Sequence, residues 1–528
     1  MMKIVATTMG KGLELFAGLY EALATQLDLD VPGIFVSDAY YFERVRRRLS
    51  LLERSVLLKE WELTGRGRIW KPDMGRVRRY ERKLGDPVLW NALLADRRIF
   101  FGRLCKVKQD YKPRFSYTQM LGILDLFLVE IDAFLREVKP DLILSFGTAT
   151  LADYLFFRFS RYRNLPFLQL KASKIKNYVA LNDTAVGVSE HLRRLYESEE
   201  TFEVSVLAEA REYLRTVTER GVRYEGAILS GRKRLAQRLF HSPLAVAKGL
   251  GAAFRAWRNG TAADNHVPPL FRSAVHENVI HPVKALALHK RIPFVPRERL
   301  VQESPFVFYP LHFEPEVSLQ VFGRPYQNQI EVVRNIALSV PVGTKVLVKE
   351  HPRSLGFRKS AYYRKLLEIP NVRLVEPFLP AIEVVRNAQV VVVVSGTIGL
   401  EAAVCAKPVL VLGRVPYALL PEHMVRRVSA VGDLANELEN LLEGYRYERS
   451  AVEKYICAVI SGSVPLDLYT LFYGKKGRYA ERERDVPAEA IKEKQYADLA
   501  AYFKSRLEEC MTERQKYSTA SVDASGGP

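Results

Sequence analysis

The sequence predicts an α/β protein of two domains facing each other across a cleft, each a mainly parallel sheet wrapped by helices. Three observations predict it. The chain opens on a strand, helix, strand pattern, KIVATT, LELFAGLYEALATQL and GIFVSDAYYF. The stretch KPDLILSFG then restores the sheet pattern after a long helical region. Past residue 300, SPFVFYPLHFEPE, KVLVKEHP and QVVVVVSGTIGLEAAVCAKPVLVLG again alternate buried-type strands with helical periodicity. Continuous apolar runs alternating with helices are the pattern of βαβ units.

Taken in order, KIVATT is the first strand, Gly10-Lys11-Gly12 its exit loop, and the next fifteen residues an amphipathic helix. GIFVSDAYYF is a second strand with a polar exit. Residues 45 to 135 are richly charged and mostly helical in pattern, ending in GILDLFLVEIDAFLREV. KPDLILSFG places Ser145, Gly147 and Thr148 at a strand's carboxyl end, and NLPFLQLK and NYVALND are further short strands. Residues 1–210 are thus expected to form an N-terminal Rossmann-like domain. Residues 211–300 follow as a basic helical insertion, with a loop around NGTAADNHVPP. A second Rossmann-like domain takes 301–470, a helical segment 471–513, and 514–528 has the composition of a disordered tail.

Composition fits a two-domain enzyme of a reducing compartment. The 528 residues are 48% hydrophobic, ample for two cores. Cys105, Cys405, Cys457 and Cys510 are scattered without a CxxC pair, so neither a zinc site nor a disulfide framework is expected. The nine histidines form no HExxH pattern, and no metal or other cofactor is expected to be required. MMKIVATTM has the length of one strand rather than of an export signal, and no window approaches the about 20 apolar residues of a membrane span. The expected location is cytoplasmic, soluble or peripheral at the inner face of the plasma membrane.

The net charge is +19, concentrated between Gly231 and Leu300. There RKRLAQRLFHSPLAVAKGLGAAFRAWR interleaves Arg232, Lys233, Arg234, Arg238, Lys248, Arg255 and Arg258 with Leu239, Phe240, Leu250, Phe254 and Trp257. Such alternation suits an anionic membrane surface or an acidic acceptor; the plain alternative is a basic, solvated helix pair. Nucleic acid is not expected as a partner, since no RNP, KH or zinc-finger pattern accompanies the charge.

Ligands of parallel sheets sit beyond the carboxyl ends of the strands. Two consecutive units here end in polar constellations, His351-Pro352 and Ser395-Gly396-Thr397. Gly396 permits a tight turn, the hydroxyls of Ser395 and Thr397 can donate to phosphate oxygens, and Gly399 allows close packing of the helix on its strand. Glu401 lies a helical turn beyond Thr397, placed to accept from ribose hydroxyls, and Lys349 adds positive potential. The alternative is that Ser395 and Thr397 only cap the helix. The loop PLHFEPE carries His312, Glu314 and Glu316, candidates for the base or nucleophile of a group transfer; alternatively one carboxylate binds its own loop and the other an arginine such as Arg324. Asp38 and Asp153, near strand ends of the first domain, are the alternative source. Asp28-Leu29-Asp30 reads as a strand entry rather than a metal motif, Gly10-Lys11-Gly12 lacks Walker spacing, and His281-Pro282 follows only a weak strand signal.

The order YPLHFEPEVS, VKEHP, VSGTIGLEA and AKPVLVLG with Tyr417, over about residues 303 to 425, resembles the bacterial capsule polysaccharide biosynthesis family, whose members include Kdo transferases of GT-B type. The His-Pro and Ser-x-Thr pair is also similar to that of bacterial sialyltransferases, and the fold to the UDP-N-acetylglucosamine 2-epimerase group. The resemblance implies a GT-B-like glycosyltransferase that moves a sugar, Kdo or another ulosonic acid, from a nucleotide donor to a glycan or glycolipid acceptor. It favours a CMP-linked donor, with a UDP-linked one as alternative. Lys349, His351, Pro352, Ser395, Gly396, Thr397, Gly399 and Glu401 would then hold the donor nucleotide, His312, Glu314 and Glu316 would serve catalysis, and Gly10, Lys11, Gly12, Ser145 and Thr148 would line the acceptor side. A UDP-sugar epimerase, or a non-catalytic capsule assembly or export-coupling protein, are the other functions open to such a chain.

Overall fold

The structure is a computed structural model that describes residues 1–46, 50–101, 113–147, 150–221, 236–237, 239–240, 242–258, 269–314, 316–468, 471 and 488–523. Its strands are β1 (Met2–Thr8), β2 (Leu29–Val36), β3 (Val56–Lys59), β4 (Leu142–Ser145), β5 (Phe167–Ala172), β6 (Tyr178–Asn182), β7 (Phe294–Val295), β8 (Phe306–Pro310), β9 (Lys345–Lys349), β10 (Val372–Val375), β11 (Val390–Val393), β12 (Val409–Val411), β13 (Val425–Arg427) and β14 (Val464–Pro465). They form two seven-stranded sheets.

The first sheet has the order β14-β6-β5-β4-β1-β2-β3. Its β5-β4-β1-β2-β3 portion is parallel, and β6 and β14 are added antiparallel. The second, β13-β12-β11-β8-β9-β10-β7, is parallel throughout. The mixed α/β class read from the sequence is therefore the observed one. From its central strand, each sheet runs outward two strands one way and then reverses, so a switch point opens between β1 and β4 and another between β8 and β11. Connections leave in opposite directions at such a point, which parts them and opens a crevice at the carboxyl ends.

Doubly covered parallel strands must be apolar on both faces, and all residues of β8 and of β11 are buried. Apolar cores line both faces of each sheet. Local signals start the supporting helices: Ser116 and Gln119 form a capping box on Tyr117–Val138, and Thr150 with Asp153 another on Leu151–Tyr162.

The chain links the two halves more than once. Helix Val204–Arg220, inside which the expected boundary at 210 falls, buries Tyr213, Leu214 and Val217 in a core of the second sheet. β14 returns to pair with β6, and helix Ala488–Asp523 packs Leu499, Phe503 and Leu507 on the first sheet beside helix Gly12–Ala24. That helix extends past residue 514, where composition alone predicts a disordered tail. His281 and Pro282 lie not at a strand exit but in a continuous helical run, Leu270–Val275, His276–Ile280 and His281–Arg291, in which a π turn directly precedes the proline that cannot donate to the helix ladder. Among the described residues no helix is long and apolar enough to cross a membrane.

Candidate functional site

The second switch point gathers the candidate donor residues. His312 leaves β8 and Ser395 leaves β11, and the Ser395 backbone nitrogen lies 3.5 Å from His312 Nε2. The ring of His312 also faces Gly396: a side chain there would meet its Cε1 at 3.3 Å. Ser395 Oγ donates to the Ser318 carbonyl, and Thr397, at the start of helix Ile398–Val404, makes no side-chain cap. Neither hydroxyl is a helix cap, so the capping alternative is not what the geometry shows. Tyr417 Oη donates to the Gly396 carbonyl at 2.6 Å and holds the turn from behind. Gly399 is needed for that contact, because a Cβ at this position would collide with the Tyr417 hydroxyl. The close approach expected of Gly399 is thus to Tyr417.

β9 delivers His351 beside them. Pro352 and Arg353 form a turn closed by the Ser354 N–H on the His351 carbonyl at 2.8 Å, proline supplying the φ of its first corner. The Arg353 N–H donates to His351 Nδ1 at 3.2 Å, which assigns the ring proton to Nε2 and makes that atom a donor. Phe313 packs edge-on to the His351 ring, 6.0 Å between centroids, and Arg353 lies over Phe313. Burial drives both imidazoles toward neutrality. His351 falls to about 3, helped by Lys349, Arg353 and Arg358, and His312 to about 4, helped by Arg358.

A buried clamp sets the spacing of these loops, and the sequence reading missed it. Arg358 pairs with both oxygens of Glu350, donates to the His312 carbonyl at 2.7 Å and reaches Glu314 at 3.2 Å. Gln329 completes it: its carbonyl accepts from the His312 N–H at 2.6 Å and its amide donates to the His312 carbonyl and to Glu314. Tyr363 Oη donates to Glu350 at 2.8 Å. Nearby charge of opposite sign raises Arg358 well above its usual value despite the opposing effect of burial.

The two loop carboxylates therefore differ. Glu314 is buried within the clamp. Glu316 is exposed, yet its carboxyl is raised because surrounding protein removes hydration, an effect that Lys174, Arg353 and Arg97 partly offset. An open surface ringed by protein is the setting of a cleft, and those three cations come from both halves of the chain. Other cations bridge the halves: Lys171 lies 4.3 Å over Phe322, and Arg324 lies 4.3 Å over Tyr154 rather than pairing with a loop carboxylate. Burial, with Lys174 alongside, lowers Lys171 to about 8.

Lys349 and Glu401 lie deeper. Lys349 Nζ donates to the Pro377 carbonyl at 2.8 Å, and burial lowers it to about 8 against the pull of Glu350, Glu376 and Glu401. Glu401 is buried toward the end of helix Val204–Arg220, its carboxylate 3.3 Å from where a side chain at Gly221 would begin.

The first switch point holds Gly10-Lys11-Gly12 and Ser145. Gly10 has φ +58°, a left-handed turn that glycine adopts without strain, and Lys11 precedes helix Gly12–Ala24. Ser145 Oγ donates to the Gly147 carbonyl at 2.7 Å; Thr148 lies outside the described residues. Asp38 caps helix Ala39–Val45 through the Tyr41 N–H. A further constellation was not legible: Glu60, at the exit of β3, lies 3.8 Å from Arg98, and Asp96 and Asp153 share the same buried region. Burial, then the charge of Glu60, raises Asp96 and lifts Asp153 to about 7.

None of the curated proteins matches this chain in sequence. Among solved structures it is similar to the beta Kdo 2,4 transferase of Thermosulfurimonas dismutans KpsC, with 12% identity, TM-score 0.34, and coverage of 60% of this chain and 79% of that one. The beta Kdo 2,7 transferase of the same protein gives 9% identity, TM-score 0.33, and 65% and 87% coverage. UDP-GlcNAc 2-epimerase of Neisseria meningitidis bound to UDP-GlcNAc gives 15%, 0.25, and 86% and 94%. These likenesses are distant. The sequence match is more local and falls on the site itself: residues 274–420, which supply β7 to β12 and with them His312, His351 and the Ser395–Thr397 turn, match the model of the capsule polysaccharide biosynthesis protein family.

Proposed function

We propose that the chain is a glycosyltransferase of capsule or related surface-polysaccharide synthesis that takes its sugar from a nucleotide-activated donor, with a CMP-linked ulosonic acid such as Kdo the leading donor and a UDP-sugar the alternative. The observation that carries this reading is the convergence of His312, His351 and the Ser395–Thr397 turn at the β8/β11 switch point. In this reading His351 Nε2–H, the Thr397 hydroxyl and free N–H groups of the turn hold the phosphate, while Glu401 orients the ribose. Fixed donors at a departing phosphate stabilise charge where the transition state develops it. Lys349 contributes from below by fixing the loop after β10. The cations of the cleft, Arg97, Lys171, Lys174, Arg324 and Arg353, favour an anionic donor and acceptor.

Glu316, rather than the clamped Glu314, is the proposed base or nucleophile of the second half. Asp153, with its carboxyl lifted to about 7, is the alternative acid from the first half, where Gly10 to Gly12 and Ser145 would receive the acceptor. The reaction needs no protein-bound cofactor in this account. Incubating the protein with CMP- and UDP-sugars, with and without a glycolipid acceptor, tests it. Nucleotide release that depends on acceptor is expected. Acceptor-independent epimerisation would identify an epimerase, and binding without turnover a sensor or scaffold.

A further inference from the structure

Helix Ser242–Arg258 is packed inside out. Gly249 lies so close to Ala274 of helix Leu270–Val275 that a Cβ on it would collide with the alanine's, and Ala256 is buried. The large apolar residues point the other way: Leu244 is 61% exposed, Leu250 57%, Phe254 59% and Trp257 69%. At 100° per residue these four span an arc of about 140°, roughly opposite Gly249 and Ala256. An amphipathic helix normally buries its bulky side. Here small residues bring the two backbones together and leave the bulky side to solvent.

The charge beside that face has one sign. Arg258 falls within the apolar arc and Arg255 and Lys248 along its edge, all exposed, and the helix has no acidic residue. The helices beyond it, to Arg291, add Arg272, Lys284, Lys290 and Arg291 against Glu277 alone. Phe254 and Trp257 pack at 5.8 Å between centroids, a preformed aromatic pair. Arg232, Lys233, Arg234 and Arg238, the other basic residues of this stretch, lie outside the described residues.

We propose that this face is a docking surface for an anionic lipid bilayer, its bulky residues entering the headgroup boundary while Lys248, Arg255 and Arg258 meet lipid phosphates. The complementarity selects this occupant: cations flanking an apolar stripe with aromatic anchors satisfy both layers of such an interface, whereas a second copy would set like charges against each other.

Flotation of the full-length protein with vesicles tests it, using phosphatidylcholine alone or mixed with phosphatidylglycerol, at low and high salt. Binding is expected only to the mixed vesicles and to weaken with salt, since screening confines the attraction to about 8 Å at physiological ionic strength. The triple variant Lys248→Glu, Arg255→Glu, Arg258→Glu should lose at least about a hundredfold in partitioning. Brominated acyl chains should quench tryptophan emission in the wild type and not in Trp257→Phe. Equal binding to both vesicle types, or a triple variant that binds like wild type, would overturn the proposal. So would a dimer in sedimentation that Phe254→Ala with Trp257→Ala dissolves while vesicles are ignored, which would assign the face to a second copy.

Discussion

Replacing Arg358 with methionine would leave the shape of the buried clamp and remove its charge. Arg358 donates twice to Glu350, once to Glu314 and once to the His312 carbonyl, and it is 2% exposed. After the substitution Glu350, fully buried, keeps only the His351 N–H at 2.7 Å and the Tyr363 hydroxyl at 2.8 Å. Stranding a buried charge costs about 3–5 kcal/mol, more than the worth of the intact pair, because the remaining partner can no longer be neutralised. For domains of this size that is a fall in melting temperature of roughly 6–20 °C. Adding Glu350→Gln to the variant should recover part of the loss, a coupling of roughly 1–3 kcal/mol. Thermal melts of the wild type, both single variants and the double variant at pH 8 read all of this. A melting temperature of Arg358→Met within about 2 °C of wild type at pH 8 would refute the clamp as the element that sets the loops.

The remaining expectations concern chemistry and pH. Glu316→Gln should lower turnover by orders of magnitude with donor affinity near normal, whereas Glu314→Gln should show chiefly as lost stability; full activity in Glu316→Gln would move the catalytic carboxylate to Asp153, where Asp153→Asn is the next variant to assay. His312 and His351 are held near 4 and 3, so the unfolded chain binds more protons than the folded one below its ordinary histidine pKa of about 6.5. Stability should therefore fall as pH drops from about 6.5, by up to about 1.4 kcal/mol per pH unit for each histidine. Melts of His312→Asn from pH 7.5 to 5 should show a shallower acid slope than wild type; an unchanged slope would mean that the ring is not buried neutral.

Strands covered on both faces were readable because they must be continuous apolar runs, as VVVV in β11 and FVFYP in β8 are. β3 and β13 were not: VLLK and VRR are short, lie at sheet edges, and adjoin sequence that a helix could equally well claim. His351 and the Ser395–Thr397 turn were legible because turn residues directly following a buried strand mark its carboxyl end. Arg358, Gln329 and the grouping of Asp153, itself read as lying near a strand end, with Glu60 and Asp96 were not, since each acts through neighbours that the local pattern does not bring together. The one hint was Gln329, a polar residue on the packed side of helix Gln329–Ser339. The crossing of helix Val204–Arg220 onto the second core was hidden for the same reason: periodicity shows that a helix has an apolar face, not which core receives it.

In the proposed function the β8/β11 switch point holds the phosphate of a nucleotide. Calorimetric titration of CMP and UDP into the wild type, His351→Ala and Ser395→Ala measures it directly, with circular dichroism to show that each variant keeps its fold. Losing one hydrogen bond to a charged phosphate, or the Ser318 contact that shapes its turn, should weaken binding by about 1–3 kcal/mol, roughly 5- to 150-fold. One nucleotide is expected to bind the wild type, and both variants to bind it more weakly by that amount. Affinity unchanged in both folded variants would contradict that reading.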